Sequence, residues 1–291
     1  MKEIDSEELK RIEVDLLSAV DAICRQNGYK YSLYAGTLIG AVRHQGFIPW
    51  DDDVDIVLTR PDYDAFIDYC MNNEVPFNLV CSRTEPNYGY LFAKVCAKNT
   101  IIQDNVIDID GVDLGVYIDL WPLDGLGDTR KKAVKTYRST LFKRELLVAA
   151  NWRGFHRSKT RPWYVEPVRL AFYIMSRFCS RQKLIASLEK KFRKTPYDTS
   201  EYDGVIIGSY LEKEIFRKGE MLDEVIPAKF EDREFFITAN YDSILTQVYG
   251  DYMQLPPEAK QVSRHSFKAY YTDTEASEEP SAEGEAELSK G

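Results

Sequence analysis

Apolar positions near the start of the chain fall in a helical rhythm. Leu9, Ile12, Leu16, Val20 and Ile23 recur at spacings of three and four, behind Asp5 and Glu8 in the arrangement of a capping box. This predicts an amphipathic opening helix. Tyr31 to Ala35 then reads as a strand, followed by Gly36-Thr37 and an apolar stretch, Leu38 to Val42, long enough for one or two helical turns before Gly46 and Pro49. Val54, Ile56 and Leu58 alternate as in a strand, and Pro61 suits the first turn of a helix through Phe66 to about Met71. Further short strands are expected at Leu79, from Gly89 to Val95, at Ile101-Ile102 and from Val116 to Trp121. The fold class expected is α+β: a mixed β-sheet flanked by helices.

The character changes from Arg130 to Lys194, where lysine and arginine recur and Glu145, Glu166 and Glu189 are the only acids. A basic, mostly helical insert is predicted, either a solvated face or a surface for anionic partners. From about Tyr197 to Tyr271 the composition is mixed again. There Phe235, Ile237, Tyr241, Ile244, Leu245 and Val248 suit a helix ending near Gly250, in a C-terminal region expected to pack back on the first. After Asp273 there is almost nothing to bury, which predicts a disordered acidic tail. The expected division is a core at 1–128, the insert at 129–196, the C-terminal region at 197–271 and the tail at 272–291.

Composition narrows the function classes. With 291 residues, 44% of them hydrophobic, the chain can bury a full core. Its formal net charge of −9 argues against a general nucleic-acid binder, so no nucleic-acid partner is expected. The five cysteines (Cys24, Cys70, Cys81, Cys96, Cys179) form no CxxC pair, and are expected to be reduced core thiols rather than zinc ligands or disulfides. No apolar run resembling a signal peptide opens the chain, so a cytoplasmic location is expected. The stretch from Trp163 to Cys179 is too short and too charged to span a bilayer. Peripheral contact with the inner membrane leaflet through residues 130–194 stays open.

The most informative window is residues 36–58, GTLIGAVRHQGFIPWDDDVDIVL. If a strand runs through its end, Asp51, Asp53 and Asp55 share one face while Val54, Ile56 and Leu58 point into the core. Two carboxylates about 4 Å apart repel by roughly 4 kcal/mol at an effective dielectric near 20, so a cation is expected among them. Mg²⁺, with Mn²⁺ as a substitute, suits hard oxygen ligands supplemented by substrate phosphates, which points to phosphoryl chemistry. Upstream, Gly36 and Thr37 at a helix start offer backbone N–H groups to phosphate, and Arg43 and His44 are candidate phosphate contacts. In YIDLWPLDG, residues 117–125, Asp119 is isolated among apolar neighbours, as a metal ligand or a general base would be, whereas Asp124 in the same stretch reads as structural. The plain alternative is an acidic surface turn capping the next element.

These residues resemble the LicD proteins, whose relatives include the fukutin-related enzymes within the wider nucleotidyltransferase fold. The likeness is strongest over YSLYAGTLIGAVRHQGFIPWDDDVDIVL, residues 31–58, and recurs in YIDLWPLDG and in YGDYMQLPP at 249–257. The resemblance implies that Asp51, Asp53 and Asp55 are the family's acidic triad and that Asp119 is its additional catalytic acid, with Asp53, Asp55 and Asp119 at the metal. It makes Gly36 and Thr37 the counterpart of the superfamily's Gly-Ser-like turn, and Lys94 and His265 recurrent substrate-binding positions. It also implies transfer of phosphocholine or an alditol phosphate from a CDP-linked donor to a glycan or lipid-linked saccharide, including teichoic-acid precursors, with release of CMP. Two rivals use the same residues differently: a nucleotidyltransferase that moves the nucleoside monophosphate, and a non-enzymatic Ca²⁺- or membrane-binding protein. The second is disfavoured because DDDVD lacks the glycine and distal glutamate of an EF-hand loop.

Overall fold

Asp5 caps the opening helix by accepting a hydrogen bond from the Glu8 backbone N–H at 2.9 Å. Glu8 does not return the bond of a full capping box; its carboxylate accepts from Arg11 and from the Tyr271 hydroxyl. The computed structural model describes residues 1–104, 112–158, 162–208, 210–258, 261–262 and 267–272. The first half runs β1 (Glu3–Ile4), α1 (Ser6–Asn27), β2 (Tyr31–Leu33), α2 (Ala35–His44), β3 (Asp55–Thr59), α3 (Arg60–Asn72), β4 (Phe77–Val80), β5 (Ala93–Ala97), β6 (Thr100–Gln103) and β7 (Tyr117–Gly127). Helices α4 (Arg130–Arg138), α5 (Leu141–Ala150), α6 (Glu166–Ser176) and α7 (Arg181–Phe192) follow. The chain then adds β8 (Tyr202–Gly204), β9 (Ile215–Arg217), β10 (Val225–Phe230), β11 (Arg233–Thr238), α8 (Tyr241–Tyr249) and β12 (Lys268–Tyr271).

The central sheet has the order β2-β3-β7-β5-β4, and β3 and β7 are its parallel pair in an otherwise antiparallel arrangement. The far end of β7 pairs with β8, which pairs with β9, so the C-terminal region joins the same sheet. Both faces of β3 are covered. Ile56 and Leu58 pack into the main core with Leu17, Val20 and Phe66, while Val57 packs with Leu123 and Phe216 on the other side.

The helices of the basic segment build a separate apolar cluster, including Tyr137, Leu147, Leu188 and Phe192, against Leu126 of β7. Ion pairs fasten it to α3. Arg60 makes a buried two-point bond to Asp124, at 2.6 and 2.8 Å, and lies 3.9 Å from Glu189, which with Asp64 also engages Arg193. Asp124 is thus structural, as the sequence implied.

Several expectations shift in register. The strand expected from Gly89 starts only at Ala93, because the Gly89 carbonyl accepts a hydrogen bond from the Asn151 side chain instead of a sheet neighbour. Helix α2 starts earlier than expected, at Ala35, with the Leu38 N–H bonded to the Tyr34 carbonyl. The C-terminal helix ends at Gly250 as expected but begins at Tyr241. Phe235 and Ile237 belong to β11, paired with β10 through a turn in which Glu231 adopts φ +58°. Four of the cysteines are buried thiols, whereas Cys179 is partly exposed. Of the expected tail at 272–291, residues 273–291 lie outside the described residues.

Two substitutions test this framework. Asp124→Ala leaves the buried Arg60 guanidinium without its main partner and is expected to lower stability by about 3–5 kcal/mol in urea denaturation. Asp203, on β8, is raised by burial to about 8. A carboxyl whose folded value is raised contributes stability that is complete below its unfolded value and lost as pH rises through the folded one. Asp203→Asn should therefore flatten the fall in melting temperature between about pH 4 and pH 8.

Candidate active site

Parallel pairing of β3 with β7 sets Asp55 directly opposite Asp119, and antiparallel pairing of β5 with β7 sets Lys94 opposite the same Asp119. Three charged side chains thus meet across adjacent strands that are otherwise apolar, and all are largely buried. Lys94 Nζ donates to Asp119 Oδ1 at 2.6 Å, and its ammonium lies 3.4 Å from the centre of the Tyr117 ring. Trp121 Nε1 donates to Asp55 Oδ1 at 2.7 Å. Burial, followed by the neighbouring charges of Asp53, Asp119 and Asp51, holds the Asp55 carboxyl well above the usual carboxylate range.

The loop before β3 brings in the remaining acids. Only Asp55 is on the strand, so Asp51 and Asp53 do not share its pleated face as expected; they reach the same cleft from irregular backbone. Close backbone contacts fix that loop. A Cβ on Gly36 would stand 2.5 Å from Asp51 Oδ2, and one on Gly40 would stand 2.4 Å from the Gly46 carbonyl. The glycines of GTLIGAVRHQG are therefore spacers that let α2 lie against the acid-bearing loop. Thr37 Oγ1 accepts from the Asp55 backbone N–H at 2.8 Å, and Glu231 on the β10–β11 turn accepts from the Phe47 N–H. Just before Gly36, Ala35 holds φ +49°, a left-handed conformation unusual for alanine, where the chain turns from β2 into α2.

The acids open onto a cleft of about 1030 Å³. Gly36, Arg43, Asp51, Asp53, Asp55, Lys94 and Asp119 all line it. Thr37 is buried beneath, acting on the Asp55 backbone. His44 is not part of the lining. It accepts from Arg43 Nε at 2.9 Å, and burial together with the Arg43 charge pushes its imidazole below the usual value, which suits a neutral acceptor that orients Arg43. Arg43 also donates to the Tyr252 carbonyl. His265 lies outside the described residues.

Local sequence leaves further residues at or beneath the cleft unmarked as site residues: Glu214, Tyr210 and Phe92 line it, and Glu13 is buried outside the lining. Glu13, on α1, is buried and its carboxyl is raised by burial and then by Asp53 and Asp52. The available signal was an acid inside the apolar stripe of a helix. Glu214 accepts from the Tyr34 hydroxyl at 2.6 Å and the Tyr210 N–H at 2.7 Å, and nothing in its local sequence marks it. Aromatic rings make up much of the wall. Phe92 stacks on Trp121 with ring centres 4.1 Å apart, and Tyr210 meets Tyr249 edge-on at 4.7 Å. The YGDYMQLPP stretch also reaches the cleft, through Tyr249, Asp251, Tyr252, Gln254 and Pro256.

Among the described residues, no three histidine, cysteine, aspartate or glutamate side chains converge closely enough to hold a metal ion by themselves. A hard divalent cation commonly takes only one or two carboxylates and completes its shell with water and substrate phosphate. Asp53 and Asp55, with Asp119 beside them, fit that pattern, and the charges of Asp53, Asp119 and Asp51 add to burial in raising the Asp55 carboxyl.

Residues 28–161 match the family model described as LicD/FKTN/FKRP, nucleotidyltransferase domain. Over 276 residues, 93% of this chain and 99% of the relative, the sequence is 30% identical to the lipopolysaccharide cholinephosphotransferase LicD of Haemophilus influenzae. A shorter stretch of 47 residues, 16% of this chain and 18% of the relative, is 47% identical to the uncharacterized protein RP689 of Rickettsia prowazekii. A stretch of the same length and identity, covering 15% of the relative, matches the uncharacterized protein RT0683 of Rickettsia typhi. With a family model matched over residues 28–161 and a relative 30% identical across 99% of its own length, the chain belongs to the LicD family.

Proposed function

We propose that this protein transfers phosphocholine from a CDP-linked donor to a saccharide hydroxyl, releasing CMP. The observation that carries the reading is the side-by-side placement of Asp55 and Asp119, braced by Lys94, in a cleft with aromatic walls. The full-length likeness to a lipopolysaccharide cholinephosphotransferase supports choline as the substituent and a cell-surface glycan, or its lipid-linked precursor, as the acceptor.

Each residue then has a task. Arg43 and the N-terminal turn of α2 at Gly36 receive the donor diphosphate, and Asp51, seated against Gly36, fixes the approach. Mg²⁺, or Mn²⁺ in its place, bound by Asp53 and Asp55 with Asp119 beside them, would supply charge neutralisation for the diphosphate and relieve carboxylate repulsion. Asp119, oriented by Lys94, takes the proton of the acceptor hydroxyl as its oxygen bonds to the choline-bearing phosphorus. The phosphorus–oxygen bond to CMP breaks, and CMP leaves as the monophosphate. Most of the acceleration comes from positioning and charge neutralisation. Aromatic faces of the wall suit the quaternary ammonium of choline.

Purified protein given CDP-choline, CDP-ribitol and CDP-glycerol with a glycan extract and Mg²⁺ should release CMP from CDP-choline. Asp53→Ala should lower that release by about a hundredfold or more without changing the far-ultraviolet circular dichroism. Pyrophosphate release from a nucleoside triphosphate in place of CMP would mark nucleotidyl transfer and overturn the proposal; preference for another CDP donor would change the substituent. Gly36→Ala displaces the Asp51 carboxylate and should reduce turnover by about tenfold with the fold retained.

A further inference from the structure

Helix α6 is built inside out. A surface helix of a water-soluble protein normally turns its apolar stripe inward and its charges outward. Here Arg169 and Ser176 are the buried positions, with Arg169 bonded to Glu166 at 2.9 Å and to the His156 carbonyl at 3.0 Å. Val168, Leu170, Ile174 and Met175 face solvent instead. Beyond the two ends of the helix, Trp163 is 84% exposed and Phe178 is 87% exposed. Most of the large apolar side chains that stand exposed among the described residues fall between Phe142 and Phe178. Monomeric proteins seldom leave so concentrated an apolar surface in water unless something covers it.

Charge says what covers it. Residues 130–194 hold nineteen of the chain's 38 lysines and arginines but only three of its 47 acids. Two of those acids, Glu166 and Glu189, are engaged by arginines of the same segment. Exposed Lys143, Arg153, Arg157, Arg177 and Lys183 accompany the apolar residues. Apolar side chains with exposed tryptophan and tyrosine, among basic residues, match the two layers of an anionic bilayer surface: acyl chains below and phosphate headgroups above. Among the described residues no helix is long and apolar enough to cross a membrane, so the contact is one of lying on the surface.

We infer that the segment spanning α5 and α6 docks this protein on an anionic phospholipid surface. Val148 and Arg153 lie in this segment and also line the cleft, so docking brings the cleft mouth to the lipid boundary. That a lipid-linked saccharide is delivered there rests on the proposed transfer reaction; the docking itself does not.

The test is co-sedimentation of the full-length protein with vesicles of phosphatidylcholine alone or with about one-third phosphatidylglycerol. The protein should pellet with the anionic vesicles, remain in solution with the neutral ones, and be released by added salt. The double variant Ile174→Ser, Phe178→Ser changes only exposed positions. It should bind the anionic vesicles about tenfold more weakly while releasing CMP at the wild-type rate with a water-soluble acceptor. Equal partition to both vesicle types, or unchanged binding by the variant, overturns the inference. So does a dimer in solution that the variant converts to monomers, since a second copy would then cover the face. Vesicle binding without CMP release from any donor upholds the docking and removes the proposed reaction; CMP release without vesicle binding does the reverse.

Discussion

The site depends on a repulsion that the fold does not avoid. Asp55 and Asp119 sit opposite each other on the parallel strand pair at the centre of the sheet, with apolar residues before and after both. Two ionised carboxylates about 4 Å apart would repel by roughly 4 kcal/mol at an effective dielectric near 20, against a typical net domain stability of about 5–15 kcal/mol. The surroundings limit this cost. Lys94 compensates Asp119, the indole N–H of Trp121 serves Asp55, and the Asp55 carboxyl retains its proton more tightly than a solvated one. The flanking residues Ile56, Val57, Ile118 and Leu120 are fully buried, so the strands are held in register by packing that does not involve the acids.

The same constraint explains the spacing of the surrounding loop. Asp51 and Asp53 can join the cleft only if α2 lies close to the returning chain, and the two glycines of that helix leave room where any Cβ would collide. Thr37 then ties the helix to the first residue of β3, and the β10–β11 turn holds the loop from the other side. A segment that reads as a motif is, physically, a packing solution for several carboxylates around one opening.

How much could be read beforehand follows from the range of each interaction. The acids at 51–55 and the isolated Asp119 announce themselves because charge in an apolar context is a local signal. Their partnership is a matter of strand order, which periodicity does not reveal. Lys94 was expected on family resemblance as a substrate contact, and its bond to Asp119 required knowing that β5 lies beside β7. Glu214 and Tyr210 come from a segment that local pattern leaves unmarked, and the aromatic wall is assembled from rings that lie far apart in the chain. The C-terminal misreading was a contest of periods: Phe235 and Ile237 fit a helical stripe, but pairing with β10 made alternation prevail.

The β3–β7 pairing also bears on how the chain reaches its native state. Asp55 and Asp119 are far apart in sequence, so an unfolded chain, or a partly folded one lacking this strand pair, carries none of their mutual repulsion. The penalty is incurred when Ile56 and Leu120 align, which ties it to a contact between residues distant in sequence. The packing that offsets this cost does not involve the carboxylates: Ile56, Val57, Ile118 and Leu120 are buried whatever the protonation of the two acids, so the strand pair is held by apolar contacts and the acids are carried along with it.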